Sequence, residues 1–579
     1  MAPTPASRKN AHVDPGPVQV ADIPLAPGPG PQATGVARPS GGRSDVALRV
    51  VCHLAAELPI VVFGIVELAR GWRPLFDNAD LALRSWQVTG PHSPLLGHQM
   101  AVSVDGHAVF GPGPLQSWIL AAPVHIDPAQ GALWGAVIAV LAAVVLSVEA
   151  SWSVGGWPAG ATTSAAVLVF ALVRPELVLD VVWNVWFALA VLVCAFCSAL
   201  ATASGHLRWW PVTVVSASIV VQCQAAFGPP AVALCVLAPL LGLAVRRRRA
   251  QGPGGWWWIA GLAVGAVVWA APVVQEATTS PGNLTLLARA AGGSGGSIGW
   301  HAALRALGGA TRLPPDWVHA LPAGGALARF FGVAGIVSGP AWWGLVVLGL
   351  LAAIAGLAWW TGRTILAVLA ALTLTLALGA LATVATIPVS QFVVLGYLGA
   401  LLVPVGIAVW VTFVWAAAAA GAAALRRRRP GGDGGAGAGA VGVGPAIRAD
   451  AALRWAASLA LVGLSTGVLV TGLGSMDGTA PTLVGWPAVR AADAATAAAL
   501  HVAPAGSFGL RLEGLPQAEA FAVETGVAYQ LVTHGLDPRP TTAIGYPTFG
   551  RPPRGGPTVV VTVDGRGHHA SARLVRRDG

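Results

Sequence analysis

The chain has 579 residues, 55% apolar and only 10% charged, with a mean hydropathy of +0.68. A soluble domain carries about 25% charged residues, so composition excludes an ordinary soluble enzyme and a chain disordered throughout. The net charge of +10 is almost all arginine, in short clusters beside apolar runs. That placement reads as topology-setting charge at a membrane and not as a nucleic-acid surface.

Residues 1–44 are rich in Pro, Gly, Ala and Ser and have no apolar core. They read as a disordered tail rather than a signal peptide. From Val46 onward, eleven segments approach the ~20 apolar residues that a spanning helix needs. They are 46–69, 131–149, 160–174, 181–203, 211–227, 230–245, 256–275, 341–360, 364–387, 391–419 and 452–474. The densest positive runs are Arg246 to Arg249 and Arg426 to Arg429. Four spans lie between them, so one topology satisfies the positive-inside rule for both. It places the N-terminus in the cytoplasm and the C-terminus outside. The loops 70–130 and 276–340 and the tail 475–579 then face outward, and the Gly-rich linker 430–447 lies inside.

The fold expected is an all-α integral membrane protein of about eleven transmembrane helices, with helix in the outer loop. Three units follow: a cytoplasmic tail 1–45, a polytopic region 46–474 and an extracytoplasmic domain 475–579. Within the last, 486–501 and 516–530 have helical patterning, while 507–512 and Val559 to Val563 read as strands, giving a small α/β domain. His568 and His569 read as solvated surface. The five cysteines lie in apolar stretches and imply no disulfide framework. The Cys194-x-x-Cys197 pair lacks the partners of a metal site.

Chemistry concentrates in the outer loops. After the first span, Asp77 and Asp80 stand three residues apart, with Arg84 one turn further. On a helix the two carboxylates share a face. Such a carboxylate suits proton acceptance from an attacking hydroxyl, or the pair could hold a divalent cation such as Mg or Mn. A solvated helix start is the plainer alternative. Gly111-Pro112-Gly113-Pro114 is a shaped turn before a short apolar helix, 115–126, that fits an interfacial placement with Trp118 at headgroup level. At the second outer loop, Gln275, Glu276, Asn283 and Arg289 offer donors and acceptors for a hydroxyl-rich ligand, or cap a helix; Asn283-Leu284-Thr285 also forms a glycosylation sequon. Arg174, Glu176, Asp180, Trp183 and Asn184 gather at another outer turn and Gln222 and Gln224 near a third, either lining a cavity or, for Arg174, forming an ion pair. Charges cluster at outer ends rather than at mid-membrane, where a transporter would carry them.

Asp77-Asn78-Ala79-Asp80-Leu81-Ala82-Leu83-Arg84 resembles a pattern, G-D-x-A-x-x-x-L-R, of an actinobacterial group of polytopic proteins. That group is similar to lipid-linked-sugar glycosyltransferases of the glycosyltransferase C fold, the polyprenyl-phosphate-mannose type. Gly111 to Leu115 is similar to H-P-G-P-L, Trp183 to Val185 to W-N-P, and Val221 to Phe227 to V-Q-x-H-x-G-Y, while P-G-N-L is intact at Pro281 to Leu284. The motifs keep their order over residues 46–300. The sequence departs at Gly111 for His, Val185 for Pro, Gln224 for His and Phe227 for Tyr. The resemblance implies transfer of a sugar from a polyprenyl-phosphate donor to an envelope glycan, lipid or protein at the outer face of the plasma membrane. It implies Asp77 as general base or metal-linked carboxylate, and Asp80, Arg84, Gln222, Gln275, Glu276 and Asn283 as donor or acceptor residues. A flippase for a lipid-linked precursor and an inactive scaffold are the alternatives.

Overall fold

The computed structural model describes residues 43–91, 93–252, 254–291, 296–319, 339–389, 396–428, 443–476, 485–541, 549, 551–564 and 569–575. The tail 1–42, most of the Gly-rich linker and His568 lie outside them. The chain divides into two units, Met1–Val46 and Ala47–Gly579.

Among the described residues, nine helices are long and apolar enough to cross a membrane. The chain is thus a polytopic α-helical membrane protein. The first, α1 (Arg43–Ala69), grows from the apolar run after Val46. The outer loop that follows holds α2 (Asp77–Gln87), the hairpin β1 (Gln99–Val104) with β2 (His107–Phe110), and the short helix α3 (Leu115–Ile126). In α3, Leu115, Gln116, Ser117 and Leu120 are buried, while Trp118 is 37% exposed. One face of α3 therefore packs inward while Trp118 lies on the other.

The next helix, α4 (Gly131–Val173), runs for 43 residues but is broken at Gly156, which has φ +62° and ψ −149°. Thr163 Oγ1 donates to Ser151 Oγ at 2.8 Å. Twelve residues along a straight helix span about 18 Å, so the chain folds back at Gly156 into two antiparallel legs. A glycine suits that reversal because its φ is unfavourable for any residue with a Cβ. The legs coincide in sequence with the apolar segments 131–149 and 160–174.

After the short turn α5 (Glu176–Leu179) come α6 (Asn184–Ala203), α7 (Trp210–Cys223), α8 (Gly228–Arg248) and α9 (Gly255–Thr278). Helix α7 has 14 residues, about 21 Å, and 3₁₀ turns at Leu207–Trp209 and Ala225–Phe227 extend it at both ends. Buried hydroxyls tie it to α6: Thr213 Oγ1 donates to Ser198 Oγ at 3.1 Å, the kind of polar contact that helps join helices in apolar surroundings. The second outer loop contributes α10 (Asn283–Ala291), α11 (Gly299–Thr311) and α12 (Asp316–His319). The remaining long helices are α13 (Ala341–Trp360), α14 (Thr364–Ala385), α15 (Leu402–Arg428) and α16 (Val443–Met476).

Beyond them, α17 (Gly485–Leu500) and α18 (Gln517–Thr533) pack on a four-stranded sheet. Its strands are β3 (Ser507–Glu513), β4 (Asp537–Pro540), β5 (Thr558–Val563) and β6 (Ala570–Val575), in the order β4-β3-β5-β6. Strand β3 is parallel to β4 and β5, and β6 is antiparallel to β5. The strands at 507–512 and 559–563 fall where alternation and β-branching place them; β4, which opens on Asp-Pro, carries no such signal.

The bundle has two ends. Helix α6 starts beside Asp77, which bonds Trp183. It finishes beside Arg249, which donates to Ser204 O at 3.2 Å. Its 20 residues, about 30 Å long, separate the two. The turn after α13 joins the arginine end, where Arg248 donates to Trp359 O at 3.0 Å.

Candidate functional site

Asp77 and Asp80 open α2, where a helix N-terminus favours negative charge. The residue before them, Phe76, adopts φ +54°, a conformation that costs a non-glycine residue on the order of 1–3 kcal/mol. It is held from the α/β segment. Its N–H donates to Thr525 Oγ1 at 3.0 Å, and its ring meets Phe521 edge-on at 5.1 Å. Nearby, Tyr529 donates its hydroxyl to Pro128 O at 2.7 Å and Arg73 pairs with Asp493 at 3.2 Å. The C-terminal segment is thereby clamped onto the loop that carries Asp77.

Asp77 Oδ2 accepts from the indole of Trp183 at 3.1 Å. Asn78 Nδ2 donates to Asp180 Oδ1 at 3.2 Å. Asp80 accepts from Arg84 Nε at 3.3 Å, with side chains 18% and 10% exposed. The Arg84 guanidinium also lies over the Phe110 ring, 5.1 Å from its centroid. Desolvation, with Asp80 adding like charge, raises the Asp77 carboxyl to about 7 although the Trp183 bond opposes it. Burial pushes the Asp180 carboxyl well above its ordinary range; Asn78 opposes this, and the charges of Asp77 and Glu176 add to it. Both aspartates keep partial solvent contact.

Two members of this neighbourhood escape sequence reasoning. Glu67 is 1% exposed, and neither of its carboxylate oxygens has a hydrogen-bond partner. An acid in an apolar span is itself a functional signal, and it stands ten residues before Asp77. His98 is the second. Burial, followed by the opposed influences of Asp80 and Arg84, lowers its imidazole to about 4. Its backbone is paired with Gly111, whose N–H donates to His98 O at 2.8 Å. A Cβ at Gly111 would lie 2.9 Å from Gln222 O, so this backbone leaves little room for a side chain there.

The other expected site residues serve the scaffold. Gln222 donates to Val268 O at 2.8 Å and accepts from Leu115 N at 3.3 Å, linking α7, α9 and α3. Gln275 Oε1 accepts from Asn283 N at 3.0 Å. Glu276 caps α10, accepting from Leu284 N at 2.7 Å and from the Thr285 hydroxyl. Asn283 grips both backbone polar atoms of Phe110, at 2.9 and 3.0 Å. At 2% exposure, with its amide bonded, Asn283 is not a glycan acceptor in the folded chain. Gln275, Glu276 and Asn283 thus tie the outer loops together through backbone atoms.

Two expectations need correction. Arg174 forms no ion pair with Glu176 or Asp180 among the described residues; its Nε and Glu176 Oε2 are buried without hydrogen-bond partners. Charge is also not confined to the outer ends. Arg49 and His53 on α1 meet Glu149 on α4, with His53 Nδ1 2.8 Å from Glu57 and Nε2 2.8 Å from Glu149. Those residues lie inside two of the apolar helices. Among the described residues no group of three or more His, Cys, Asp or Glu is placed to hold a metal ion. The five cysteines are free, four of them buried.

No protein-family model matches the chain, and no curated protein matches it. Among solved structures it is similar to the crystal structure of ArnT from Cupriavidus metallidurans in the apo state, at 14% identity. The match covers 87% of this chain and 92% of that one, with a TM-score of 0.39.

Proposed function

We propose that this protein is a membrane glycosyltransferase that moves a sugar from a polyprenyl-phosphate donor to an extracytoplasmic envelope acceptor. The observation that carries the reading is the placement of Asp77, bonded to the Trp183 indole at 3.1 Å beside the Asp80–Arg84 pair, where burial pushes its carboxyl up to about 7. A general base works best with a pKa near the operating pH. The ordered motifs from Asp77 to Leu284 supply the reaction class.

In this reading the chain crosses eleven times, with both legs of α4 and helix α7 counted alongside the other long helices. The Asp77 end faces outward and the arginine end faces the cytoplasm. The α/β segment 475–579 is an extracytoplasmic domain that fixes the Asp77 loop. Asp77 takes the proton of an acceptor hydroxyl as its oxygen attacks the anomeric carbon. The bond to the polyprenyl phosphate breaks, and the electron pair leaves on the phosphate oxygen. Arg84, with Asp80 orienting it, offers positive charge to that phosphate. Gln222, Gln275, Glu276 and Asn283 position the loops around the sugar.

A second reading, a carrier of the intact lipid-linked precursor, is favoured by the Arg49–Glu149–His53–Glu57 cluster within the apolar helices, since ionisable groups in spanning segments mark proton and substrate pathways. Incubating purified protein with labelled polyprenyl-phosphate sugar and envelope acceptors separates the readings. Transfer of label with release of polyprenyl phosphate supports the enzyme. Movement of intact donor across a vesicle without cleavage supports the carrier, and binding without either leaves a scaffold.

A further inference from the structure

At the end opposite Asp77, the turns α6–α7 and α8–α9 enclose an open-mouthed cavity of about 450 Å³, lined by Gly205, His206, Arg208, Arg246, Arg249 and Trp257 among others. Its walls are set by arginine bonds to backbone. Arg246 donates to Gly205 O at 3.0 Å and Gly252 O at 2.7 Å, and Arg249 to Ser204 O at 3.2 Å. No acidic residue occurs anywhere between Val181 and Gln275, so nothing in these segments balances the guanidinium charges. The field registers on His206. Burial first, and then the charges of Arg208 and Arg249, hold its imidazole below the ordinary range, and its Nδ1 has no hydrogen-bond partner.

The rim is aromatic. Trp256 and Trp257 are 68% and 39% exposed, at the start of an apolar helix of which only 17% of the spanning window is buried within the protein. Tryptophan at that level marks the membrane–water boundary. Three guanidiniums, an imidazole and a tryptophan rim at the bilayer surface suit one ligand chemistry, a phosphate ester with an apolar tail running down beside α9.

We infer that this cavity is a binding site for the phosphate headgroup of an anionic phospholipid. The site stands apart from the sugar-transfer chemistry and does not depend on it.

The test uses the full-length protein in detergent, equilibrated with equal phosphatidylglycerol and phosphatidylcholine and examined by native mass spectrometry. The wild type should retain phosphatidylglycerol preferentially. Arg208→Gln combined with Arg249→Gln should weaken retention about tenfold, the scale of losing a charge-assisted contact. Arg208→Gln alone, at an exposed side chain, should weaken it by a smaller factor and keeps the test valid if the double variant misfolds. Arg551→Gln with Arg554→Gln, in the α/β segment, should leave it unchanged. Equal retention by wild type and the cavity variants overturns the proposal. Displacement of the lipid by millimolar inorganic phosphate reassigns the site to a free phosphate ligand and overturns the lipid assignment. Binding of polyglutamate without any preference for phosphatidylglycerol overturns it in favour of an acidic protein partner.

Discussion

The indole nitrogen of Trp183 lies 3.1 Å from Oδ2 of Asp77, joining the turn before α6 to the first residue of α2. This bond favours the ionised carboxylate against the burial and like charge that oppose it. Trp183→Phe keeps the aromatic packing and deletes the donor. Because the proposed base acts only when ionised, transfer falls as pH drops through the Asp77 pKa. The variant should therefore move the acid limb of the pH–rate profile to higher pH, with rates converging on wild type under alkaline conditions. An unmoved limb would separate Trp183 from the chemistry.

Asp77 also couples stability to pH. Its folded pKa of about 7 lies above the ordinary 3.8. Between those values the folded state holds a proton that the unfolded chain has released, so stability declines as pH rises through that window. Asp77→Asn removes the penalty. It should raise the unfolding temperature at pH 8 relative to wild type and make little difference near pH 4. The effect is bounded at a few kcal/mol. Thermal unfolding in detergent at the two pH values reads it directly.

How much of this could be read from the chain alone depends on the kind of signal. Apolar runs located the long helices, and the Asp77–Asp80–Arg84 spacing placed the helix that carries the site, because both are local patterns. The hairpin β1–β2 has an equally local signal, since Asp105-Gly106 is a strong turn dipeptide and both residues take positive φ. Other features could not be read. Trp183 meets Asp77 across 106 residues, and Asn283 meets Phe110 across 173. Contacts of that separation follow from packing, not periodicity. The roles of Gln275 and Glu276 illustrate the same limit, for a polar side chain near an outer loop looks alike whether it faces a ligand or a backbone amide.

The clamp between the α/β segment and the Asp77 loop predicts action at a distance from the carboxylate. Gly526 packs directly on Leu75 and Pro74 O, and a side-chain carbon there would overlap Leu75. Gly526→Ala should displace the Phe76 turn and lower transfer severalfold while membrane insertion is retained. Thr525→Val, which strips the partner of Phe76 N–H, should cost about 1–3 kcal/mol and reduce transfer in the same direction. Transfer assays alongside chemical unfolding distinguish a shifted site from a lost fold.

Asn283 supplies a further check on the outer loops. Asn283→Ala deletes both bonds to Phe110 and frees β2 from α10. A loss of roughly 1–3 kcal/mol is expected, visible as earlier proteolysis of the 99–110 hairpin. Unchanged protease resistance would mean that the hairpin is held elsewhere.

The most direct measurement is transfer of labelled sugar from polyprenyl phosphate by purified wild-type protein and by Asp77→Asn, with membrane insertion and monodispersity checked for both. The account predicts turnover by the wild type and a loss of at least about a hundredfold, the scale of general-base catalysis, in a variant that still folds. Comparable turnover by the two proteins would contradict it.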